Sequence, residues 1–277
     1  MRIKTCLPHP LPLKKLNWAK LIPLIGPARE ALARYDELLK TAPPSALEIL
    51  KWEESALSLR AFGLIADLDE IHSFIRNKDV SPERKVILQK ILNAKKGLDF
   101  GIAWAKKGPL NQTFFCRLHA IIKQDAPDLK EVGRIRKKQN WIGPQGCTID
   151  EAYFYPPASH KLKKYLQGLF RYANGKEKDP LVQAAIFFAQ FLIIHPFMDG
   201  NGRVARIFIP LYLMKKKLLS KPCLFMSSYF AKHRLAYFQK LFHIPEKEGW
   251  ENWISYFLEG ITEQSNNIKL KLQYILK

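Results

Sequence analysis

The sequence predicts an all-α fold with one small β-hairpin. Three observations predict it. Most of the chain reads as segments whose apolar residues recur every three or four positions. Helix stops and starts punctuate those segments, as at Ser81-Pro82, Asn174-Gly175 and Asp179-Pro180. The stretch 125–157 breaks the pattern, gathering Gly133, Gly143, Gly146, Pro127, Pro144, Pro156 and Pro157 with little helical periodicity.

In chain order, residues 7–23 carry Pro8, Pro10, Pro12 and Pro23 and read as an extended arm, with Trp18 and Leu21 as anchors on the body. A helix over 27–41 follows, then the turn Ala42-Pro43-Pro44 and a helical pattern over 45–77. Ser81 caps a helix that starts at Pro82 and runs to Ala105, weakened in its second half by Gly97 and Gly101. Gly108-Pro109 breaks it, and 111–123 is helical, with His119 at a packing position. The segments 136–143 and 148–155 form two short arms around a glycine-containing turn, a hairpin with an exposed edge. A short helix over 159–172 leads to Asn174-Gly175. The run 181–194 is long, mostly apolar and free of breakers, so it reads as a buried helix with Asp179 as cap and Pro180 at its first position. Helices over 203–217, 229–243, 250–263 and 266–277 complete the chain, the last basic and amphipathic. Neither a repeat nor a low-complexity linker interrupts it. The expected divisions are an N-terminal helical region 1–107, a core 108–265 with a flap 131–157, and a C-terminal helix 266–277.

A chain of 277 residues can bury a sizeable core. Its 45 basic and 25 acidic residues give a net charge of +20. That excess suits acidic partners, nucleic acid or anionic membrane surfaces. The scatter of the lysines equally suits a generally basic soluble protein, and the origin of the charge stays open. Cys6, Cys116, Cys147 and Cys223 are far apart and form no metal-ligand pair, so they read as free thiols in a reducing cytoplasm. Prolines interrupt the N-terminus before a signal-peptide core can form, and no apolar run reaches the length of a membrane span. The expected location is a bacterial cytoplasm, or a host cell after delivery by a system that needs no cleaved signal.

The chemistry concentrates in residues 195–206, His195-Pro196-Phe197-Met198-Asp199-Gly200-Asn201-Gly202-Arg203-Val204-Ala205-Arg206. Pro196 disfavours helical backbone at His195, so the imidazole sits at the end of a buried rod. Gly200 and Gly202 permit a tight turn into a new helix, whose first N–H groups suit a phosphate. Arg203 and Arg206 are three apart and share a face able to grip a polyphosphate. Asp199 is a hard oxygen ligand suited to a magnesium ion that bridges phosphates. Each part alone is commonplace: a histidine at a helix end, a glycine turn, two arginines on one face. Base, acid, turn and arginines within twelve residues are hard to explain as packing.

The residues His195-Pro196-Phe197-x-Asp199-Gly200-Asn201-Gly202-Arg203-x-x-Arg206 resemble the complete signature of the Fic (Fido-fold) nucleotidyltransferases. The resemblance implies a mainly helical fold with a hairpin flap beside the active site. It also implies transfer of AMP from ATP to a Ser, Thr or Tyr hydroxyl of a protein, with release of pyrophosphate. Resemblance and chemistry assign the same roles. His195 is the general base, and Asp199 holds Mg2+ against the phosphates. Gly200, Asn201 and Gly202 stabilise charge on the α-phosphate, Arg203 and Arg206 neutralise the outgoing phosphates, and Phe197 points into the core. Gly133, Arg136, Asn140, Trp141, Ile142, Gly143, Pro156 and Pro157 resemble the family's flap, where a target segment docks by adding a strand. Expected partners are a protein with a hydroxyl side chain and the chain itself through auto-modification, with a homodimer allowed. DNA is not expected, because the chain leaves no room for the winged-helix module of many longer relatives.

Residues 54–63 resemble the family's N-terminal inhibitory helix. Ser58 and Gly63 match it, but Phe62 stands where relatives carry a glutamate that pairs with the arginine matching Arg206. Phe62 offers no carboxylate, which implies weaker autoinhibition. Two other readings stay open: a Fic enzyme that transfers another group, such as UMP or phosphocholine, and a basic binding protein with a vestigial catalytic core.

Overall fold

The computed structural model describes residues 4–5, 7–60, 66–76, 80–125, 129–143, 146–246 and 248–276. At its centre lies the apolar run identified above, now helix α7 (Pro180–Ile194), in which every residue from Leu181 to Ile194 is buried. Asp179 caps it by accepting the N–H groups of Leu181 at 2.7 Å and Val182 at 3.2 Å, and it pairs with Arg29 at 2.7 Å. A helix apolar all round must be enclosed by others. Those are α5 (Gln112–Ile122), α6 (Leu162–Asn174), α8 (Asn201–Lys215) and α11 (Gly249–Ile275). Phe187 stacks on Phe208 of α8 at 3.9 Å, and Phe191 meets Phe115 of α5 at 5.1 Å. On the opposite side Phe188 stacks on Trp253 of α11, whose indole N–H donates to the Ala185 carbonyl at 2.9 Å. Such aromatic pairs each add about 0.5–1.5 kcal/mol beyond the area they bury.

The helical expectation holds for the fold, while several boundaries differ. Helix α1 begins at Trp18 and runs to Thr41 with Pro23 and Pro27 inside it, where an extended arm was expected. Each interior proline costs the helix about 3 kcal/mol. Leu21, Ala28, Ala31, Leu32, Tyr35 and Leu39 offset that cost by burying one continuous face, much of it against α11. Asn17 caps α1 and also ties it across the fold, its N–H reaching Glu251 at 2.8 Å. The pattern over 45–77 resolves into α2 (Pro44–Arg60) and α3 (Leu68–Ile75), the latter restarted by Asp67, which accepts the Glu70 N–H at 2.7 Å. The segment expected as one helix over 229–243 is α9 (Ser227–Lys232) and α10 (Arg234–Phe242), divided at His233. Helix α11 runs 27 residues without a break, so the separate C-terminal helix over 266–277 is corrected. Gln264 and Ser265 lie between the two expected helices. Both are buried, and Gln264 donates to the Phe225 carbonyl at 2.8 Å.

The flap is less regular than two paired arms. Ile142 and Phe154 form an isolated antiparallel bridge, with the Ile142 N–H on the Phe154 carbonyl at 3.0 Å. Strand β2 (Phe154–Tyr155) then pairs in parallel with β1 (Lys4–Thr5). Beyond that bridge the described residues of the first arm form no ladder; the side chains of Arg136 and Asn140 turn inward to the carbonyls of His195 and Phe197.

Helix α4 (Pro82–Ala105) is capped by Ser81 as expected, and its two glycines have a packing reason. A Cβ on Gly97 would lie 2.7 Å from Ile122 Cγ1, and one on Gly101 2.9 Å from Leu211 Cδ1. The glycines let α4 approach α5 and α8 closely. Gly97→Val should therefore destabilise the protein by roughly 1–3 kcal/mol through overpacking, despite its better helix propensity. Urea unfolding of both proteins checks this, and an unchanged midpoint contradicts the close approach.

Candidate active site

Helix α7 ends at His195, whose backbone is left-handed with φ 49° and ψ 62°. Pro196 removes the αR option for the preceding residue, and the left-handed cap is what remains compatible with the His195 N–H bond to the Phe191 carbonyl at 2.9 Å. Arg136 holds this turn from outside. Its N–H reaches the Pro196 carbonyl at 2.9 Å, its Nε the His195 carbonyl at 2.8 Å, and its remaining nitrogens the carbonyls of Lys138 and Pro157. The guanidinium is buried with only neutral acceptors, and burial lowers its pKa to about 10.

The His195 ring is fixed by Nδ1 at 3.1 Å from the Leu192 carbonyl. A carbonyl only accepts, so Nδ1 carries the proton and Nε2 keeps its lone pair. No other described residue hydrogen-bonds Nε2. Burial, with Arg136 adding to it, lowers the pKa to about 4, against the raising effects of the Leu192 carbonyl and Asp199. The imidazole is neutral at ordinary pH.

Phe197 anchors the loop that follows. Its ring is fully buried and stacks on His119 at 4.0 Å and 6°. The Asn201 side chain clasps its backbone, accepting the N–H at 2.9 Å and donating to the carbonyl at 2.8 Å, and Asn140 adds a second donor at 3.1 Å. Asn201 was expected to turn its side chain toward phosphate. Its Oδ1 and one Nδ2–H are committed to Phe197, so the side chain shapes the loop. Asn140, expected at the flap's docking edge, is likewise buried against the loop, while Trp141 is exposed. His119 takes the packing role expected of it. Its Nδ1 accepts the Gly133 N–H at 2.9 Å, so its Nε2 donates to the Asp199 carbonyl at 2.9 Å.

Gly200 has φ 82°, which a side chain would strain, and it starts α8. Its N–H donates to Asp199 Oδ1 at 2.6 Å and is not free for a ligand. The first N–H groups inside α8, of Asn201, Gly202 and Arg203, lack intrahelical acceptors. Two arginines close on the glycines: a Cβ would lie 3.6 Å from Arg203 Nη2 at Gly200, and 3.1 Å from Arg206 Nη1 at Gly202. Both guanidiniums are buried, which lowers their pKa values, and each keeps an Nε–H without an acceptor among the described residues.

Arg206 reaches the N-terminal region. Its Nη2 donates to the Ser58 carbonyl near the end of α2 at 2.7 Å. The helix that resembles the inhibitory one therefore faces the site. Phe62 and Gly63 lie outside the described residues. The carboxylate that influences Arg206 from α2 is Glu54, one turn before Ser58, which accepts from Ser227 at 2.5 Å. Burial raises its pKa to about 7, against the lowering effects of Ser227 and Arg206. The cavity beside Arg206, lined by Ser227, Phe230, Arg234, Tyr237 and Phe238, is small, about 30 Å³, with room for water.

Asp199 is the expected magnesium ligand. Its Oδ2 is shared by Lys123 Nζ at 2.5 Å and Arg203 Nη2 at 3.3 Å. Burial works against its charge, but Arg203 and Lys123 outweigh it and hold the pKa at about 2. Among the described residues no group of three His, Cys, Asp or Glu side chains could hold a metal. Asp199 alone is a poor seat for a resident divalent ion, because Lys123 and Arg203 already neutralise its carboxylate. The sequence does not single out Lys123, and it offers Arg136 only as part of the flap and Glu54 only as part of the inhibitory-like stretch. Their partners in the site are 76, 59 and 173 residues away, beyond any local pattern.

Comparison with known proteins agrees with this architecture. Residues 109–213 match the Fic/DOC family. A Fic family protein from Desulfovibrio desulfuricans G20 superposes with a TM-score of 0.75 at 20% identity, over 94% of this chain and 76% of that one. A Fic domain containing signaling protein from Bacteroides thetaiotaomicron gives 0.70 at 17% identity, over 89% and 97%. The fold is thus that of Fic proteins, and the chain carries a Fic/DOC family domain. In sequence, a protein adenylyltransferase of Caenorhabditis elegans is 32% identical over 91 residues, 32% of this chain and 16% of that protein. A probable protein adenylyltransferase of Aquifex aeolicus is 36% identical over 74 residues, 26% of this chain and 23% of that protein. The chain spans less than a quarter of the length of these curated relatives.

Arg136→Met should leave the carbonyls of His195, Lys138 and Pro157 without a donor. The bond to Pro157 is buried and the other two are part-buried, so at about 1–3 kcal/mol for a buried acceptor left unpaired the protein should lose at least about 1 kcal/mol of stability. Denaturant unfolding measures it, and a loss below 0.5 kcal/mol, on the order of an ordinary surface substitution, removes Arg136 as the clamp.

Proposed function

We propose that the chain is a protein adenylyltransferase that takes ATP as substrate. It rests on one observation: two buried guanidiniums with unpartnered Nε–H groups lie against the glycine turn at the N-terminus of α8. Cationic donors gathered at a helix start suit a polyphosphate. His195 supplies the remaining requirement, a neutral base with an available Nε2. The protein hydroxyl oxygen attacks the α-phosphorus, Nε2 takes its proton, and the bond to the bridging oxygen breaks to release pyrophosphate. The backbone N–H groups of Asn201 and Gly202 stabilise charge on the α-phosphate, and Arg203 and Arg206 neutralise the leaving phosphates. Gly200 supplies the turn. Asp199 orients Arg203, and the expected Mg2+ at Asp199 is not used in any step because Lys123 already occupies that carboxylate. Trp141, Ile142 and Gly143 present the flap to the target, which is either another protein or a second copy of this chain.

The test is incubation with labelled ATP, UTP and CDP-choline, followed by detection of label on the protein itself and on cell lysate. Labelling from ATP is expected. Labelling from UTP or CDP-choline alone reassigns the transferred group, and none from any donor favours a binding protein. His195→Ala should reduce transfer by about two to four orders of magnitude, the usual worth of a general base, with ATP affinity unchanged within about threefold. Undiminished labelling removes His195 from the mechanism.

The pH dependence follows from the His195 pKa of about 4. The base is already deprotonated at neutral pH and gains its proton only as the pH falls toward 4. The rate of labelling should stay flat from about pH 6 to 8, whereas an ordinary histidine base gives a limb near pH 6.5.

We also propose that α2 restrains Arg206 through the Ser58 carbonyl, more weakly than a carboxylate at position 62 does. A carbonyl is neutral, while a carboxylate on a guanidinium is charge-assisted and roughly twice as strong. Phe62→Glu should slow self-labelling by about tenfold without loss of thermal stability. A well-folded variant as fast as the wild type rejects the restraint.

A further inference from the structure

Lys123 forms the C-cap of α5, where the helix dipole favours a cation, and its side chain is largely buried. The last turn of α5 touches Asp199 twice. His119 donates to its carbonyl at 2.9 Å, and Lys123, four residues on and therefore on the same face, places Nζ 2.5 Å from its carboxylate. One rigid element thus fixes both the backbone and the charge of Asp199. Arg203 shares Oδ2, and Oδ1 is taken by the Gly200 N–H, so the carboxylate has a donor on each oxygen before any ligand arrives.

A divalent ion must displace that arrangement. Magnesium keeps most of its waters and takes one or two carboxylates together with substrate phosphates. Asp199 has already spent its charge on two cations. An ammonium can perform part of the ion's work, since it neutralises phosphate as a point charge and its three donors can bridge the carboxylate and a phosphate oxygen.

We propose that Lys123 is a positioning residue that serves as a built-in cation at Asp199, competing with a divalent metal for that carboxylate and holding the nucleotide's phosphates when metal is absent. The nucleotide part rests on the adenylyltransferase reading; the competition for Asp199 does not. Lys123→Met removes the charge and keeps most of the volume, and Lys123→Arg restores a cation.

The experiment has two arms, with folding of each variant checked by circular dichroism. In the first, free Mn2+ is titrated with nucleotide-free protein and followed by electron paramagnetic resonance. Lys123→Met should bind Mn2+ at least about fivefold more tightly than the wild type, and Asp199→Asn should abolish the gain. In the second, calorimetry gives the ATP affinity in Mg2+ and in EDTA. The ratio of the two dissociation constants should be below about three for the wild type and for Lys123→Arg, and about tenfold larger for Lys123→Met. Equal Mn2+ affinities, including no binding by either protein, overturn the competition. Equal ratios overturn the phosphate role. ATP binding by none of the proteins sinks the adenylyltransferase reading instead, and the Mn2+ arm still decides the competition at Asp199. Should Lys123→Met fail to fold, Lys123→Gln carries the same two measurements.

Discussion

Phe197 is the peg on which the site hangs. Its ring is buried to zero exposure and sandwiched against His119, while its own N–H and carbonyl are clasped by Asn201 and Asn140. Two constraints follow from this single residue. The chain cannot swing out between α7 and α8, so the His195 imidazole and the α8 N-terminus keep a fixed separation. The His119 ring that packs on Phe197 is also the ring that bonds the Asp199 carbonyl. An apolar stacking contact is thereby converted into the placement of a charge. Cores are close-packed and yield little, which makes such a peg a better ruler than a surface loop.

Around that fixed loop the charges are unequal. Arg136, Arg203, Arg206 and Lys123 bring four cations, while Asp199 and Glu54 bring the carboxylates named in the site, and burial raises the Glu54 pKa to about 7. Buried cations without full partners are costly and persist where another group compensates. Here the compensation is incomplete: the Nε–H groups of Arg203 and Arg206 and one oxygen of Glu54 have no hydrogen-bond partner among the described residues. The neutral His195 adds no further positive charge. A site with surplus positive charge and a neutral base suits an anionic substrate that must be approached by a neutral hydroxyl.

How much of this could be read from the sequence depended on how local each determinant is. The rod of α7, its Asp179 cap and its stop at His195-Pro196 are written in contiguous residues, and the sequence predicts them. So is the glycine turn into α8. The run through Pro23 and Pro27 in α1 was illegible, because its compensation lies in α11, more than two hundred residues away. The flap is paired across its turn only at Ile142 and Phe154 among the described residues, while Arg136 and Asn140 spend their side-chain bonds on the motif loop. Lys123 closes a helix in the sequence, and nothing local distinguishes it from any lysine at a helix end. Ser58 matched an inhibitory helix, but the group that meets Arg206 is its backbone carbonyl, which no side-chain pattern encodes.

The contact of Trp253 with Ala185 has one more consequence. The rod that carries His195 is sealed on one flank by α11, which is itself covered by α1. The region matching the family, 109–213, contains α7 and the whole motif but neither of those two helices. Cut out alone it would expose the Phe188 side of a helix with no polar face. On the ribosome the same geometry acts in time. The motif emerges before Trp253, so the Phe188 side of the rod stays uncovered until α11 has been made.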